Sequence, residues 1–160
     1  MISALLLGRK NSVGFPGKNL YPVVGRPLAL YPMLAALNSK YVDEVYLSTD
    51  DERLMKLAKD LGVQVIKRPP ELCTKEALGE DAYLHGYQIL NEKCKMKNIK
   101  IELLVLLFCN APTVLAEQID KGVEILRSRP EADSAVTVSA YNMWSPLRAR
   151  RLNSNGYLDP

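Results

Sequence analysis

The sequence predicts an α/β fold in which a mainly parallel sheet carries helices on both faces. Short, continuous apolar runs alternate with longer amphipathic runs along the chain. The clearest strands are residues 2–7 ("ISALLL") and 102–109 ("ELLVLLFC"), which lack the alternation of a half-exposed strand. Strands of a parallel sheet are covered on both faces and read as unbroken apolar segments. Alternation of such strands with helices therefore predicts a helix–sheet–helix arrangement.

In the first half of the chain, strands are expected at residues 2–7, 43–49 and 63–66, with a helix at 27–38 that buries Leu30, Leu34 and Leu37. Pro32 must sit in the first turns of that helix or kink it. Another helix is expected where Thr49 and Glu52 have the spacing of a capping box, and Gly62 can end it in the left-handed conformation. The adjacent prolines of "KRPPEL" exclude regular structure there.

In the second half, helices are expected at residues 80–97 and 115–129, and strands at 102–109 and 134–140. Asn155-Gly156 is a hairpin signal, but the chain ends almost at once after it. We therefore interpret residues 1–160 as one domain, Rossmann-like with three layers (α/β/α) and C-terminally truncated. Ligands of such sheets bind beyond the carboxyl ends of the strands, which places residues 8–19, 48–51, 68–72 and 108–113 on one rim.

Composition excludes several classes of protein. The net charge of +3 is mild, but residues 1–42 hold five Lys/Arg and no Asp or Glu, which favours a local anionic ligand over a nucleic-acid surface. The three cysteines form no CxxC pair, and one histidine cannot complete a zinc set. No segment approaches the ~20 apolar residues of a membrane span. The cysteines are therefore expected to be free thiols, which are typical of a reducing compartment, and we expect a cytoplasmic protein.

Residues 8–27, "GRKNSVGFPGKNLYPVVGRP", predict an anion-binding loop after the first strand. The P-loop pattern fails, because Ser12 stands at its first Gly position and Asn19 at its hydroxyl position. The dinucleotide fingerprint G-x-G-x-x-G is absent from this loop. Gly14 and the glycine at 17 can still turn amides toward an anion, while Arg9 and Lys18 bring full charges. The alternative is a solvated surface loop with scattered cations.

Several strings of the chain resemble the sugar cytidylyltransferases, especially the acylneuraminate (CMP-sialic acid) branch of the nucleotide-diphospho-sugar transferase fold. They run in the family's order: "GRKNSVGFPGKNL", "GRPL", "AALNS", "VDEVYLSTDDE", "RPPEL" and "ADSAVTVS". The resemblance implies transfer of CMP from CTP to an acidic (nonulosonic) sugar, with release of pyrophosphate, for surface glycan synthesis. It also implies Mg²⁺ as cofactor and a homodimer in the full-length protein, whose dimerisation segment would begin at about 141–160.

The resemblance assigns roles to residues of this chain. Arg9 and Lys18 would contact the triphosphate and stabilise charge during transfer. Ser12 and Asn19 would help to hold the nucleotide, and Arg68 of "RPPEL" would approach the base. The nucleotide-binding set expected from the residues and the resemblance together is Gly8, Arg9, Ser12, Gly14, Lys18, Asn19 and Arg68.

Other positions depart from the family's pattern. "LFCNAPTV" stands where the sialic acid branch has "LQPTSPLR", so Phe108, Asn110 and Val114 replace Gln, Thr and Arg. Lys75 stands at an Asp position. No sugar-binding residues are assigned, and no metal ligands, because the family's metal-binding carboxylates lie further on. A nucleotide-binding module without turnover, or a same-fold nucleotidyltransferase with another nucleotide or sugar, are the alternatives.

Overall fold

The fold is built on a parallel sheet of four strands in the order β5-β4-β1-β6. The computed structural model describes residues 1–10, 14–138 and 151–159. The strands are β1 (Ile2–Leu7), β4 (Glu44–Thr49), β5 (Gln64–Lys67) and β6 (Leu103–Phe108). Every residue of β1 is buried, as its unbroken apolar sequence predicts for a central strand.

Helices cover both faces of the sheet, so the three-layer α/β/α prediction is confirmed. The helices are α1 (Leu30–Leu37), α2 (Glu52–Asp60), α3 (Gly79–Met96) and α4 (Ala116–Ser128). Ala4, Leu6 and Leu47 pack in one core cluster with residues of α1, α2 and α4. Leu5 and Tyr46 face the other way and pack with Leu90 of α3.

The described residues also contain short strands and 3₁₀ helices outside the main sheet. A two-stranded ribbon of β2 (Pro22–Val23) and β3 (Arg26–Pro27) follows a 3₁₀ helix at Lys18–Leu20. A second 3₁₀ helix, Pro70–Cys73, occupies the segment predicted to be irregular. The predicted turn at Asn155-Gly156 joins β7 (Arg151–Leu152) to β8 (Leu158–Asp159), with Gly156 at φ 78°. No helix of the described residues has both the length and the apolar character needed to cross a membrane.

Of two predictions about the first helix, one is confirmed and the other is wrong. Pro32 does lie in the first turn of α1, where its missing N–H is not required. The predicted buried face was wrong: Leu37 is exposed, and the helix buries Pro32, Met33, Ala35 and Ala36 instead. The small alanine side chains let the helix backbone approach the sheet, and the longer leucines are displaced to its flanks.

Two further predictions are corrected. Asp51, not Thr49, is the N-cap of α2, because its carboxylate accepts the Arg53 amide at 3.0 Å. The strand expected at 134–140 is absent from its described part, 134–138, where all side chains are exposed. A strand needs a paired neighbour, and alternation alone does not supply one. The proposed dimerisation segment at 141–160 lies mostly outside the described residues.

Candidate nucleotide site

The carboxyl ends of the sheet strands meet at one edge, as the sequence predicts. Leu7 at the end of β1 is in register with Ser48 on one side and with Phe108 on the other. Thr49 is in register with Lys67 at the end of β5. The loops that leave these positions therefore converge, and they bring together segments that are far apart in sequence.

A cavity of about 260 Å³ lies at this edge. Its wall combines the first loop, the connection from β5 to α3, and the end of β6. The lining residues are Leu7, Gly8, Arg9, Lys18, Asn19, Arg68, Leu72, Lys75, Ala77, Leu78, Gly79, Ala82, Phe108 and Asn110. Five of the seven residues predicted to bind nucleotide are among them: Gly8, Arg9, Lys18, Asn19 and Arg68.

The charge of the cavity wall is entirely positive. Arg9, Lys18, Arg68 and Lys75 line it, and no Asp or Glu of the described residues does. None of the ion pairs within residues 1–10, 14–138 and 151–159 involves any of these four side chains. Nearby Asp50 offsets part of the Arg68 charge. The excess of cations around a concave space still focuses a positive potential, so this cavity favours an anionic ligand.

Arg68 is fixed by burial and by two hydrogen bonds. Its side chain is 6% exposed, and its Nε and Nη2 donate to the Ser48 hydroxyl at 3.1 Å and the Ser48 carbonyl at 2.7 Å. Burial lowers the pKa of the Arg68 guanidinium from its usual value. Because the usual arginine pKa lies far above neutral, the side chain keeps its charge. The result is a positive charge held in one orientation at the carboxyl edge of β4.

Arg9 and Asn19 join the first loop to the rest of the site. The Arg9 guanidinium donates to the Thr74 carbonyl, and the Asn19 side-chain amide donates to the Arg9 carbonyl at 3.2 Å. Gly17 takes the left-handed conformation, φ 72°, as the residue preceding the 3₁₀ helix of Lys18 and Asn19. That conformation favours glycine and starts the turn that carries Lys18 to the cavity.

Gly8 serves close packing as well as lining the cavity. A Cβ at this position would lie 2.8 Å from Cys109 Sγ, so no side chain fits. The Gly8 amide donates to the Ser48 carbonyl at 3.1 Å and is therefore already used within the fold. Burial raises the pKa of the Cys109 thiol to about 12, in keeping with a small apolar filler.

The remaining predicted residues have different positions. Ser12 lies outside the described residues. Gly14 is exposed and is not among the lining residues. Leu72 lies in the segment 68–72 that was predicted to reach this rim, but no role was assigned to it. Sequence reasoning missed Lys75, Ala77, Leu78 and Ala82 as wall residues, and the signal available for the first three was their closeness to "RPPEL".

Phe108 is the aromatic residue among those that line the cavity, and Tyr83 supports it. Phe108 packs edge-on against Tyr83, with ring centroids 5.7 Å apart. The Tyr83 hydroxyl donates to the Leu107 carbonyl at 2.8 Å, and burial raises its pKa. Phe108 is thereby held with half of its surface exposed at the cavity.

Carboxylates near the site are engaged in structural bonds. Asp50 lines a neighbouring cavity of about 380 Å³, which shares Arg68 with the first, and it accepts the Lys10 amide at 2.7 Å. Asp51 caps α2. Within the described residues, no three His, Cys, Asp or Glu side chains come together in a way that could hold a metal ion.

A parallel α/β sheet with a cationic cavity beyond its strand ends defines an α/β domain whose candidate ligand site suits an anion. The sequence model of the cytidylyltransferase family matches residues 3–153. The chain therefore belongs to the cytidylyltransferase family.

Curated relatives extend this result. An N-acylneuraminate cytidylyltransferase of Oncorhynchus mykiss is 44% identical over 71 residues, which cover 44% of this chain and 16% of that protein. A 3-deoxy-manno-octulosonate cytidylyltransferase of Bdellovibrio bacteriovorus is 28% identical over 153 residues, 96% of this chain and 54% of that protein. The chain thus spans about half, or less, of the length of these relatives.

Among solved structures, CMP:2-keto-3-deoxy-manno-octonic acid synthetase complexed with CTP is similar in fold. Its TM-score is 0.62 at 22% identity, and the match covers 81% of this chain and 48% of that one. A cytidylyltransferase of Leptospira borgpetersenii gives a TM-score of 0.58 at 21% identity, covering 79% and 49%. These likenesses support the fold.

Proposed function

We propose that the protein transfers CMP from CTP to an acidic, nonulosonic sugar and releases pyrophosphate. The observation that carries the proposal is a cavity lined, among the described residues, by four cations and no carboxylate, in a member of the cytidylyltransferase family. The names of two relatives, which act on N-acylneuraminate and 3-deoxy-manno-octulosonate, support a keto-sugar acid as acceptor. A role in surface glycan synthesis and a cytoplasmic location are part of the same proposal.

In this proposal the residues of the cavity act on the phosphates. A hydroxyl oxygen of the sugar attacks the α-phosphorus and its proton is lost to solvent. The bond from the α-phosphorus to the bridging oxygen breaks, and pyrophosphate leaves with the electron pair of that bond. Arg9 and Lys18 stabilise the charge that develops on the phosphate oxygens, because such transfer depends on positioning and electrostatics. Arg68 supplies a fixed charge and planar donors near the nucleotide.

Magnesium remains a proposed cofactor. Mg²⁺ is usually held by substrate phosphates and one or two carboxylates, and it would neutralise phosphate charge when bound. The described carboxylates near the cavity, Asp50 and Asp51, accept hydrogen bonds from backbone amides and do not belong to a cluster of three or more candidate ligands. The stabilisation of phosphate charge that we derive for this chain therefore comes from the cations of the cavity wall. A homodimer, without membrane or nucleic-acid partners, also remains a proposal.

The experiment is a pyrophosphate-release assay on the protein with CTP and a panel of keto-sugar acids. Lys18→Ala should lower the turnover by about 10²- to 10³-fold, the usual cost of removing a group that stabilises the transition state. Lys121→Ala on the exposed side of α4 is the matched control and should keep full turnover. Equal activity of the two variants would exclude Lys18 from the reaction.

A nucleotide-binding module without turnover is the second candidate, favoured by the lining residues that depart from the family's pattern, Lys75, Phe108 and Asn110. Calorimetric binding of CTP separates the two. CTP binding without pyrophosphate release from any acid of the panel would support the module and contradict the transferase. Comparison of CTP with UTP, GTP and ATP tests the choice of base.

A further inference from the structure

The connection between the 3₁₀ helix Pro70–Cys73 and α3, residues 74–78, forms part of the cavity wall. It contributes Lys75, Ala77 and Leu78 to the lining. Lys75 is exposed and is the only charged residue that this connection contributes to the cavity wall. Its neighbour Glu76 does not line the cavity, and neither residue takes part in an ion pair of the described residues.

The contact between Arg9 and the connection brings Lys75 close to the first loop. The Arg9 guanidinium donates to the Thr74 carbonyl. That carbonyl belongs to the peptide group joining Thr74 to Lys75, so the Lys75 backbone lies beside the Arg9 head group. An anion bound by Arg9 is consequently within reach of a lysine side chain that starts there.

We propose that Lys75 binds the phosphate chain of the nucleotide together with Arg9, as a specificity-determining residue for the charged end of the ligand. The inference rests on the proposed function, because it takes the nucleotide as the anion. Lys18 and Lys75 then approach the phosphates from two different segments, the first loop and the connection. A single point charge on a flexible stem suits this task, since it adapts to phosphate oxygens without a fixed geometry.

Isothermal titration calorimetry on the protein tests the inference with CTP, cytidine and inorganic tripolyphosphate. Lys75→Gln should weaken the affinity for CTP and for tripolyphosphate by about fivefold, the upper range for an exposed ion pair. The affinity for cytidine should stay unchanged. Lys75→Arg should keep most of the affinity. The difference between wild type and Lys75→Gln should shrink in high salt, because exposed charges are screened.

Lys56→Gln is the matched control, since Lys56 is exposed on α2 and lines neither cavity. Unchanged CTP affinity in Lys75→Gln, or an equal loss for cytidine, would overturn the inference. If the wild type binds tripolyphosphate but not CTP, the proposed function fails. The difference in tripolyphosphate affinity between wild type and Lys75→Gln then still tests the inference. If it binds neither, both proposals are contradicted.

Discussion

At the scale of single residues, two helical glycines illustrate how surroundings reverse the effect of one substitution. A Cβ at Gly86 in α3 would lie 2.6 Å from Leu5 Cδ2, and Leu5 is fully buried in β1. A Cβ at Gly122 in α4 would meet no heavy atom of the described residues within 4 Å. The first glycine is therefore a packing requirement between α3 and the sheet, and the second is not.

We predict opposite changes for the two alanine variants. Gly122→Ala should raise the free energy of unfolding by about 0.5–1 kcal/mol, the usual gain in helix propensity. Gly86→Ala should lower it by about 1–3 kcal/mol, because Leu5 must shift inside a packed core. Urea denaturation of both variants measures the difference, and stabilisation by Gly86→Ala would show that Leu5 adapts freely.

At the scale of elements, the start of α2 depends on Asp51. Its side chain is buried and accepts the Arg53 amide at 3.0 Å, and its own amide donates to the Thr49 hydroxyl at 3.0 Å. The sequence predicts Thr49 as the cap, and the structure uses Asp51 because β4 continues through Thr49. Thr49 supports the turn from strand to helix instead.

The cap predicts a graded response. Asp51→Ala should lower the free energy of unfolding by about 1–2 kcal/mol, since it removes the acceptor for the first turn of α2. Asp51→Asn should retain most of the stability, because asparagine is an equally good N-cap. Thermal and urea denaturation compare them, and an asparagine variant as unstable as the alanine variant would assign the effect to the charge rather than to capping.

At the scale of the whole molecule, Asp120 of α4 joins parts of the chain that are far apart in sequence. Its carboxylate accepts the Ser39 hydroxyl at 2.6 Å and the Lys40 amide at 2.9 Å, and the side chain is buried. These bonds fix the end of α1 against α4 on the helical face that holds the larger core cluster. Both donors would lose their partner if the carboxylate were removed.

Asp120→Ala should therefore lower the free energy of unfolding by about 1–3 kcal/mol, the cost of leaving buried donors unsatisfied. Glu124→Ala provides the comparison, since Glu124 lies one turn further along α4 and accepts only the exposed Tyr41 hydroxyl at 2.9 Å. That variant should change stability by less than about 0.5 kcal/mol, as surface substitutions usually do. Similar losses in both would mean that the Asp120 bonds add little beyond helix packing.

The sequence alone determined the layers of this protein, the order of its main elements and the edge at which its site lies. Unbroken apolar strands demand cover on both faces, and parallel strands bring their following loops to one edge. For the same reason Arg9, Lys18 and Arg68 were placed together from sequence. The cytidylyltransferase family was recognised from strings distributed over most of the chain and is confirmed by the match to residues 3–153.

Only the tertiary structure decided which residues face the cavity and which side chains the fold itself uses. Lys75 joins the wall because the Arg9 guanidinium contacts the neighbouring Thr74 carbonyl. The Gly8 amide is bonded within the fold, and Asp51 takes the cap that Thr49 and Glu52 suggest in sequence. Periodicity and spacing report local preference, whereas these outcomes depend on strand register and on competition for hydrogen-bond partners across the chain.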